Sequence, residues 1–374
     1  MKPETRAIHA GERPDPETGA VIPPLYMTTT YERAIDGDYP TGLKYSRNGN
    51  PNRHILEERL AQLEGGARGF AFASGSAAAM SMLQTLQTGD HIIVPDDFYY
   101  GIQLIIRDIF SVWGLQATFV DMTDLDAVRD AMQANTRLVL TETPSNPMIN
   151  ITDIAAIAEI AHAGGAYLVT DNTIPTAVLQ QPFQHGADFV LLSTTKYLAG
   201  HHDVIGGAIV AREAHDLVER LAMIQEISGA IPSPFDCWLV MRGLQTLPYR
   251  VRAHAANALT VARYLADQPQ VERVLYPDLD THPQYDIAQR QMEAGGGLMS
   301  VQIAGDEAQA MAFVARLKLI TRATSFGGTH SLIEHRASME HDGTRTPRNL
   351  LRLSIGLEHP DDLIADLGQA LADI

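Results

Sequence analysis

One lysine of this chain follows an apolar run, where its amine can act as a nucleophile. The run, residues 189–193, ends in Ser193, and Thr195 and Lys196 come directly after it. A lysine at the end of a buried strand is partly desolvated, which disfavours the ammonium form and lets the neutral amine attack an aldehyde. A solvated surface lysine is the alternative, but the apolar run and the later Gly206-Gly207 pair favour a functional lysine. The hydroxyls of Ser193 and Thr195 can bind a phosphate.

An aspartate stands at the end of another apolar run. Asp171 closes residues 166–171, which we expect to form a strand of the same sheet as the run before Lys196. A buried carboxylate there needs a cationic partner, and a protonated pyridine nitrogen would supply one and keep the ring an electron sink. The alternative is that Asp171 only caps a following helix.

Small residues at 73–80 lead into a predicted helix. Backbone amides at a helix start can bind phosphate, with Gly75 allowing close approach and Ser76 adding a hydroxyl. An ordinary capped helix explains the same residues equally well. Tyr99, with Tyr100 beside it, follows the run 92–95 and can lay its ring on a planar cofactor, although most such tyrosines only pack.

An arginine interrupts the apolar run near the C-terminus. Arg352 lies within residues 349–356, and a half-buried guanidinium there requires a carboxylate as its bidentate partner. Either a structural Asp or Glu or the carboxylate of an amino-acid substrate satisfies that requirement, and the sequence leaves both open.

Short apolar runs alternate with helix-period segments over residues 91–211. This alternation predicts an α/β fold with a mostly parallel sheet covered by helices on both faces. Ligands of such folds bind beyond the carboxyl ends of the strands, here residues 142–146, 171–173 and 193–196. The predicted strands are 91–95, 117–121, 137–143, 166–171, 189–193 and 208–211, and the predicted helices include 125–132 and 154–162.

The rest of the chain divides around this region. Residues 1–50 show no sustained helical or strand period, which predicts an extended arm. Residues 51–235 are predicted to form the α/β domain, which begins with a helix from Pro51 that ends at Gly65-Gly66. Residues 236–374 predict a smaller α+β domain. Its expected elements are a long helical region at 237–265, strands at 298–303 and 350–355, and a helix at 361–371.

Composition excludes several classes of protein. The 374 residues carry 45 Asp and Glu against 28 Lys and Arg, a net charge of -17 that disfavours nucleic-acid and anionic-membrane partners. Residues 1–19 lack the apolar core of a signal peptide, and no later run is long enough to span a bilayer. Cys237 is the only cysteine, which excludes an internal disulfide and a multi-cysteine zinc site. We expect a cytoplasmic protein.

Taken together, these segments resemble the Cys/Met-metabolism family of pyridoxal-phosphate-dependent enzymes, which contains cystathionine γ-synthase, cystathionine γ-lyase, cystathionine β-lyase and methionine γ-lyase. The resemblance covers nearly the whole chain, and the order and spacing of the motifs make it specific as a set. The motifs lie at residues 19–24, 45–51, 73–76, 142–147, 171–173, 193–196, 242–247, 327–332 and 351–358.

The resemblance implies a fold type I, transferase-like fold and a pyridoxal 5'-phosphate cofactor. Lys196 is then the Schiff-base lysine and proton shuttle, Asp171 the partner of the pyridine nitrogen, and Tyr99 the ring-stacking residue. Arg352 would grip the substrate carboxylate. Ser325 and Asn146 would help it, Asn146 also contacting the cofactor, and the phosphate would be held by Gly75, Ser76, Ser193 and Thr195.

The resemblance also implies an oligomer. In this family Tyr45 and Arg47 reach the neighbouring subunit's site and bind its phosphate, so the arm implies an obligate homodimer, usually paired into a tetramer. The small-molecule partner implied is a sulfur amino acid.

The reaction type is less specified by the sequence. Residues 71–78 resemble bacterial cystathionine lyases, which favours elimination by a carbon-sulfur lyase of the cystathionine γ-lyase or methionine γ-lyase type, giving a keto acid and ammonia. A γ-replacement of the cystathionine γ-synthase type on an O-acyl homoserine and a cystathionine β-lyase remain alternatives. The chain departs from common family residues at Leu104, His202, Phe326, His330 and Arg336.

Other classes of protein explain parts of the pattern. Ser193 and Lys196 fit the Ser-x-x-Lys motif of serine hydrolases, but the Ser-Asp-Asn and Lys-Thr-Gly partners of that motif are absent from the sequence. The Gly-x-Gly-x-x-Gly spacing of a nicotinamide enzyme is absent too. His201, His202 and Asp203 are adjacent and their side chains should diverge, so we expect no metal site. A non-catalytic protein on this fold is disfavoured by the Lys196, Asp171 and Arg352 set.

Overall fold

Two β-sheets organise the chain in the computed structural model, which describes residues 1–11, 13–340, 344 and 346–372. The seven-stranded sheet contains β1 (Arg68–Phe72), β2 (His91–Pro95), β3 (Gln116–Val120), β4 (Thr136–Glu142), β5 (Tyr167–Asp171), β6 (Phe189–Leu192) and β7 (Gly207–Ala211). The five-stranded sheet contains β8 (Val271–Leu275), β9 (Leu298–Ile303), β10 (Thr321–Arg322), β11 (Leu332–His335) and β12 (Leu350–Ser354).

Helices cover these sheets and connect their strands. They are α1 (Pro3–His9), α2 (Pro51–Glu64), α3 (Gly75–Leu83), α4 (Tyr100–Leu104), α5 (Leu125–Ala131), α6 (Ile154–Ala163), α7 (Thr176–Leu179), α8 (Asp216–Ser228), α9 (Pro234–Leu244), α10 (Leu247–Ala266), α11 (Tyr285–Gln291), α12 (Glu307–Arg316) and α13 (Pro360–Leu371). A π-helix, Ile105–Phe110, extends α4. No helix among the described residues combines the length and the apolar character needed to cross a bilayer.

The large sheet is mostly parallel, as the strand and helix alternation predicts. Its order is β1-β7-β6-β5-β4-β2-β3, and only β7 runs antiparallel to its neighbours. Because side chains alternate between the two faces of a strand, Val190 and Leu192 of β6 pack with α2 and α9, while Phe189 and Leu191 pack with α3 and α8. Helices therefore bury both faces, and the six predicted strands match β2 to β7 within one residue.

Two predictions of the sequence analysis differ from the structure. The first residues of the expected extended arm form the helix α1, whose Glu4 pairs with Arg252 of α10. A seven-residue helix spans only two turns, too few to show a periodic pattern, and it forms where it docks. The expected continuous helix over 237–265 is α9 and α10, with a break at Gln245 and Thr246. Pro248 explains the break, because proline has no N–H to continue a helix and suits a first turn.

The small sheet lies with one face on helices and the other toward the large sheet. Its order is β10-β11-β12-β9-β8, and α10, α12 and α13 cover the helical face. On the opposite face Arg352 of β12 stands beside Ser300 of β9, and the Ser300 hydroxyl donates to the Pro147 carbonyl, 2.6 Å away. Arg352 is thereby held against the loop that follows β4.

Arg250 of α10 fixes the turn that carries Lys196. Its guanidinium is buried and donates to the carbonyl oxygens of Tyr197 at 2.8 Å and Gly243 at 2.7 Å, and to the Thr246 hydroxyl at 3.1 Å. The fit leaves no room at Gly200, where a Cβ atom would fall 2.0 Å from Arg250 Nη1. One side chain therefore joins α9, α10 and the turn after β6.

We predict that Arg250→Met destabilises the protein by about 2 to 6 kcal/mol, because two buried carbonyl groups lose their donor. Urea unfolding followed by circular dichroism measures the loss. The control is Arg252→Met in the same helix, whose partly exposed ion pairs with Glu4 and Glu293 are worth about 1 kcal/mol or less. An equal loss of unfolding free energy in the two variants would show that the buried contacts of Arg250 contribute no more than an exposed ion pair.

Candidate active site

A cavity of about 390 Å³ opens beyond the carboxyl ends of β4, β5 and β6 and reaches Arg352 on β12. This is the location expected for a ligand of a parallel sheet. Ten of the predicted site residues line the cavity together. They are Gly75, Ser76, Tyr99, Asn146, Asp171, Ser193, Thr195, Lys196, Ser325 and Arg352.

Lys196 presents its amine to this cavity. The Nζ atom donates to Ser325 Oγ at 2.8 Å and lies 4.8 Å from the centre of the Phe326 ring. The pKa of Lys196 is lowered to about 8, mainly by burial and then by the nearby Arg352 guanidinium, while the charge of Glu334 opposes the shift and Arg336 adds to it. More of the amine is therefore neutral near physiological pH than in an ordinary lysine, and the neutral form is the one that attacks a carbonyl carbon.

Asp171 ends β5 as a buried carboxylate. Its Oδ1 atom accepts the Thr173 N–H at 2.9 Å, and burial raises the pKa of Asp171 to about 6. None of the ion pairs among the described residues involves Asp171. A buried carboxylate without a cation is costly, so this site suits a ligand that brings a positive charge, such as a protonated pyridine ring.

Glu142 is a site residue to which the sequence analysis gave no role. It ends β4, opposite Asp171 in the parallel register, and Glu142 Oε2 accepts the Tyr99 N–H at 3.0 Å. Burial raises the pKa of Glu142 well above its usual range, and the neighbouring carboxylates of Asp171 and Asp97 raise it further. Burial and the two neighbouring carboxylates therefore both favour the neutral form of Glu142. The sequence feature that pointed to Glu142 was its place in residues 142–146, one of the strand ends where a ligand was expected.

The start of α3 forms a cradle with the segment after β6. Ser74 caps the helix by accepting the Ala77 N–H at 3.0 Å, and a Cβ atom at Gly75 would lie 3.1 Å from Ser193 Cβ. Glycine thus permits the close approach of the two segments, and backbone amides of a first helical turn are able to bind an anion. The Thr195 hydroxyl is already bonded to Gly206, donating to the carbonyl at 3.1 Å and accepting the N–H at 3.0 Å.

Arg352 is fully buried between protein groups. Its Nη2 atom donates to Glu334 Oε2 at 2.6 Å and to the Ser325 carbonyl at 3.2 Å, and its Nη1 atom donates to Asn146 Oδ1 at 3.0 Å. Burial lowers the pKa of Arg352 to about 10, so it stays charged at neutral pH. Of the two partners that the sequence left open for Arg352, the structural carboxylate is present, and it is Glu334. Glu334 was missed because it is recognised only through the antiparallel register that sets it opposite Arg352.

Two predicted residues hold other site residues in place. Asn146 fixes the Arg352 guanidinium, and Ser325 contacts both Lys196 and Arg352 through its hydroxyl and carbonyl oxygens. Ser325 has a φ of 83°, a left-handed conformation that is strained for a residue other than glycine and persists where surrounding contacts impose it. Tyr99, at the start of α4, keeps a partly exposed ring on the rim of the cavity.

Tyr45 and Arg47 lie outside the cavity of their own chain. Tyr45 is 47% exposed, and Arg47 Nη1 donates to the Glu226 carbonyl at 2.7 Å. Their expected action on a neighbouring subunit stays a prediction. His202 lies close to Gly328, and the described residues contain no group of three or more His, Cys, Asp or Glu side chains arranged for a metal.

Comparison with known proteins decides the family. The family model for the Cys/Met metabolism PLP-dependent enzymes matches residues 4–372. The chain belongs to this family. The predictions of the family, of its pyridoxal-phosphate cofactor and of an enzyme with a fold type I architecture are confirmed.

Relatives of known name cover almost the full length of the chain. The cystathionine gamma-synthase of Mycobacterium tuberculosis H37Rv is 47% identical over 375 residues, covering 99% of this chain and 96% of the relative. The cystathionine beta-lyase of Coxiella burnetii is 44% identical, covering 98% and 97%, and the cystathionine gamma-lyase of Bacillus subtilis is 40% identical, covering all of both. A crystal structure of metB from Corynebacterium glutamicum superposes with a TM-score of 0.97 at 42% identity, covering 100% of this chain and 98% of that one.

The residues of the cavity fit the cofactor of this family. The desolvated amine of Lys196 suits the aldehyde of the cofactor. The buried carboxylate of Asp171, which has no ion pair among the described residues, suits the ring nitrogen. The cradle that Gly75 permits suits the phosphate.

The lowered pKa of Lys196 predicts how the apoenzyme captures the cofactor as pH changes. Because only the neutral amine attacks an aldehyde, the association rate of added pyridoxal phosphate should rise with pH through about 8 and then level. Stopped-flow absorbance measures this rate. The same reaction of Nα-acetyl-lysine is the control and should keep rising to about pH 10. A protein midpoint equal to that of the free amine would contradict the desolvation of Lys196.

Proposed function

We propose that this chain uses pyridoxal phosphate to break the carbon-sulfur bond of sulfur amino acids. The single observation behind the proposal is that the Lys196 amine, the Asp171 carboxylate and the Arg352 guanidinium line one cavity. Relatives named for cystathionine synthesis and cleavage at 40 to 47% identity support a sulfur amino acid as the substrate.

We assign the cofactor contacts by the chemistry of each group. Asp171 would meet the ring nitrogen, Tyr99 would cover the ring, and Asn146 would contact the cofactor as well as Arg352. Gly75 and Ser76 at the start of α3, with Ser193 and Thr195 after β6, would hold the phosphate. When bound, the cofactor supplies an electron sink that stabilises negative charge on the α-carbon of an amino acid.

The protein groups then orient the substrate and move its protons. Arg352, placed by Asn146, binds the α-carboxylate, which fixes the Cα–H bond toward Lys196. The neutral Lys196 amine takes the Cα proton, and once it has passed that proton on and is neutral again, it is the base available for the second proton, at Cβ, that reaction at the γ-carbon requires. The Ser325 hydroxyl, 2.8 Å from Nζ, holds the amine in position.

Elimination is the reaction expected from the sequence, and the lyase names of two relatives support it. Replacement by a thiol is the second candidate, supported by the cystathionine gamma-synthase relative at 47% identity and by the metB structure. The two reactions share every step up to loss of the γ substituent and differ in whether water or a thiol completes the turnover.

We also propose that the active unit is at least a homodimer, paired into a tetramer. Arg47 and Tyr45 lie outside their own cavity, so their expected phosphate contacts need a neighbouring chain. The segment around them exposes Val21, Met27 and Ile35, apolar side chains that a second subunit would bury. In this arrangement residues 1–50 form the arm, 51–235 the cofactor domain and 236–374 the smaller domain.

A comparison of products tests the proposed reaction. We expect purified holoenzyme to release a keto acid and ammonia from L-cystathionine with a larger kcat/KM than it forms cystathionine from an O-acyl-L-homoserine and L-cysteine. Coupled keto-acid assays and mass spectrometry measure the two rates. The reverse order would assign the enzyme to replacement, and no turnover of either set by cofactor-loaded protein would contradict the proposed function.

A further inference from the structure

Arg336 places a second guanidinium in the wall of the cavity. The residue is 6% exposed, and Nη1 donates to Glu334 Oε2 at 3.0 Å while Nη2 donates to Glu340 Oε1 at 3.1 Å. Its Nε atom is buried and has no hydrogen-bond partner among the described residues. Buried donors without acceptors are rare in folded proteins, which raises the question of what acceptor this one meets.

Arg336 shares both of its carboxylate partners with other groups. Arg336 and Arg352 both donate to the same oxygen, Glu334 Oε2, at 3.0 and 2.6 Å. Glu340, the other partner of Arg336, also accepts the hydroxyl groups of Thr344 and Thr346. Glu334 and Glu340 balance the charges of the two guanidinium groups, so what stays open at Arg336 is the hydrogen bond of its Nε atom.

The acidic residues that line the cavity do not supply the acceptor that Arg336 Nε lacks. Asp171 is committed to the ring nitrogen in the proposed function, and the hydrogen bond of Glu142 is with the Tyr99 backbone. The phosphate would lie at the α3 cradle, and Arg352 would take one substrate carboxylate. Arg336 is therefore the lining cation to which the proposed function assigns no ligand.

The wall around Arg336 strengthens such a contact. Phe326 and Met339 line the same cavity, and the Phe326 ring lies 5.6 Å from the Arg352 guanidinium carbon. Apolar neighbours lower the local dielectric, and a charge-assisted hydrogen bond is stronger there than in water.

We propose that Arg336 binds a second carboxylate, carried on the substrate's side chain beyond the bond that breaks, and so selects amino acids with this distal carboxylate over otherwise identical ones without it. This inference rests on the proposed function. The same carboxylate can come from a second amino acid joined through sulfur or from a dicarboxylic acyl group joined through oxygen.

Kinetics with matched substrates test this subsite. One pair is L-cystathionine and S-(2-aminoethyl)-L-homocysteine, and the other is O-succinyl-L-homoserine and O-propionyl-L-homoserine. The second member of each pair has a hydrogen in place of the distal carboxylate, and the two pairs distinguish the sources of that carboxylate. Arg336→Gln should lower the ratio of kcat/KM for the carboxylate-bearing member to kcat/KM for its matched partner by about ten- to hundredfold in at least one pair. Arg336→Lys should restore part of the ratio, and Arg348→Gln, a change at an exposed arginine, should leave it at the wild-type value.

A binding measurement separates recognition from turnover. L-2-aminoadipate and L-norleucine have no γ leaving group, and their Kd values follow from the visible band of the cofactor-loaded enzyme. Arg336→Gln should weaken aminoadipate selectively. Because this change leaves Glu340 with one fewer cation, Arg336→Gln/Glu340→Gln provides a second variant with balanced charge.

An equal loss for both members of every pair, in turnover and in Kd, would overturn the inference and make Arg336 a support for Arg352. This conclusion applies only when the wild-type enzyme turns over these amino acids. Failure of the wild-type enzyme to turn over any of them would instead count against the proposed function.

Discussion

The site depends on a lowered pKa at one amine, Lys196, that lies among charged groups. The ammonium form of Lys196 would be stabilised by water, but burial removes that water, and the nearby Arg352 and Arg336 oppose a further positive charge. Glu334 limits the effect by pairing with both arginines. The same carboxylate that stabilises the buried guanidinium groups thus helps to set the reactivity of the lysine.

This balance of charges requires the two sheets to stay in register with each other. Lys196 and Asp171 follow strands of the large sheet, whereas Glu334 and Arg352 belong to the small one. Three contacts join these parts: Asn146 with Arg352, Ser300 with Pro147, and Ser325 with Lys196. A shift of the small sheet would remove a hydrogen bond and a charge from the amine together, so stability at this interface and chemistry are coupled.

The elements that the sequence predicts well are those whose burial is uniform. β2 and β6 are buried along their full length and appear as unbroken apolar runs, so their ends, and the polar residues after them, were located correctly. β1 was not predicted because Arg68 and Gly69 interrupt its apolar run. The helix α1 depends on docking, which no local pattern records.

Pairwise contacts between distant segments were harder to predict. The sequence marks Arg352 as an arginine in need of a carboxylate, but its pairing with Glu334 follows from the antiparallel register of β11 and β12. Arg336 was noted only as a departure from a common proline, and its contact with Glu334 and Glu340 emerges from the fold. The raised pKa of Glu142 comes first from burial and then from Asp171 on the next strand, a neighbour 29 residues away in the chain.

Trapping the bond between the Lys196 amine and the cofactor is the most direct test of this chemistry. Reduction of the holoenzyme with borohydride, followed by proteolysis and mass spectrometry, locates the pyridoxyl group on the chain. We expect a single modified peptide with the added mass on Lys196. A modification on Lys44 or Lys318 with Lys196 left free would show that Lys196 does not bond the cofactor.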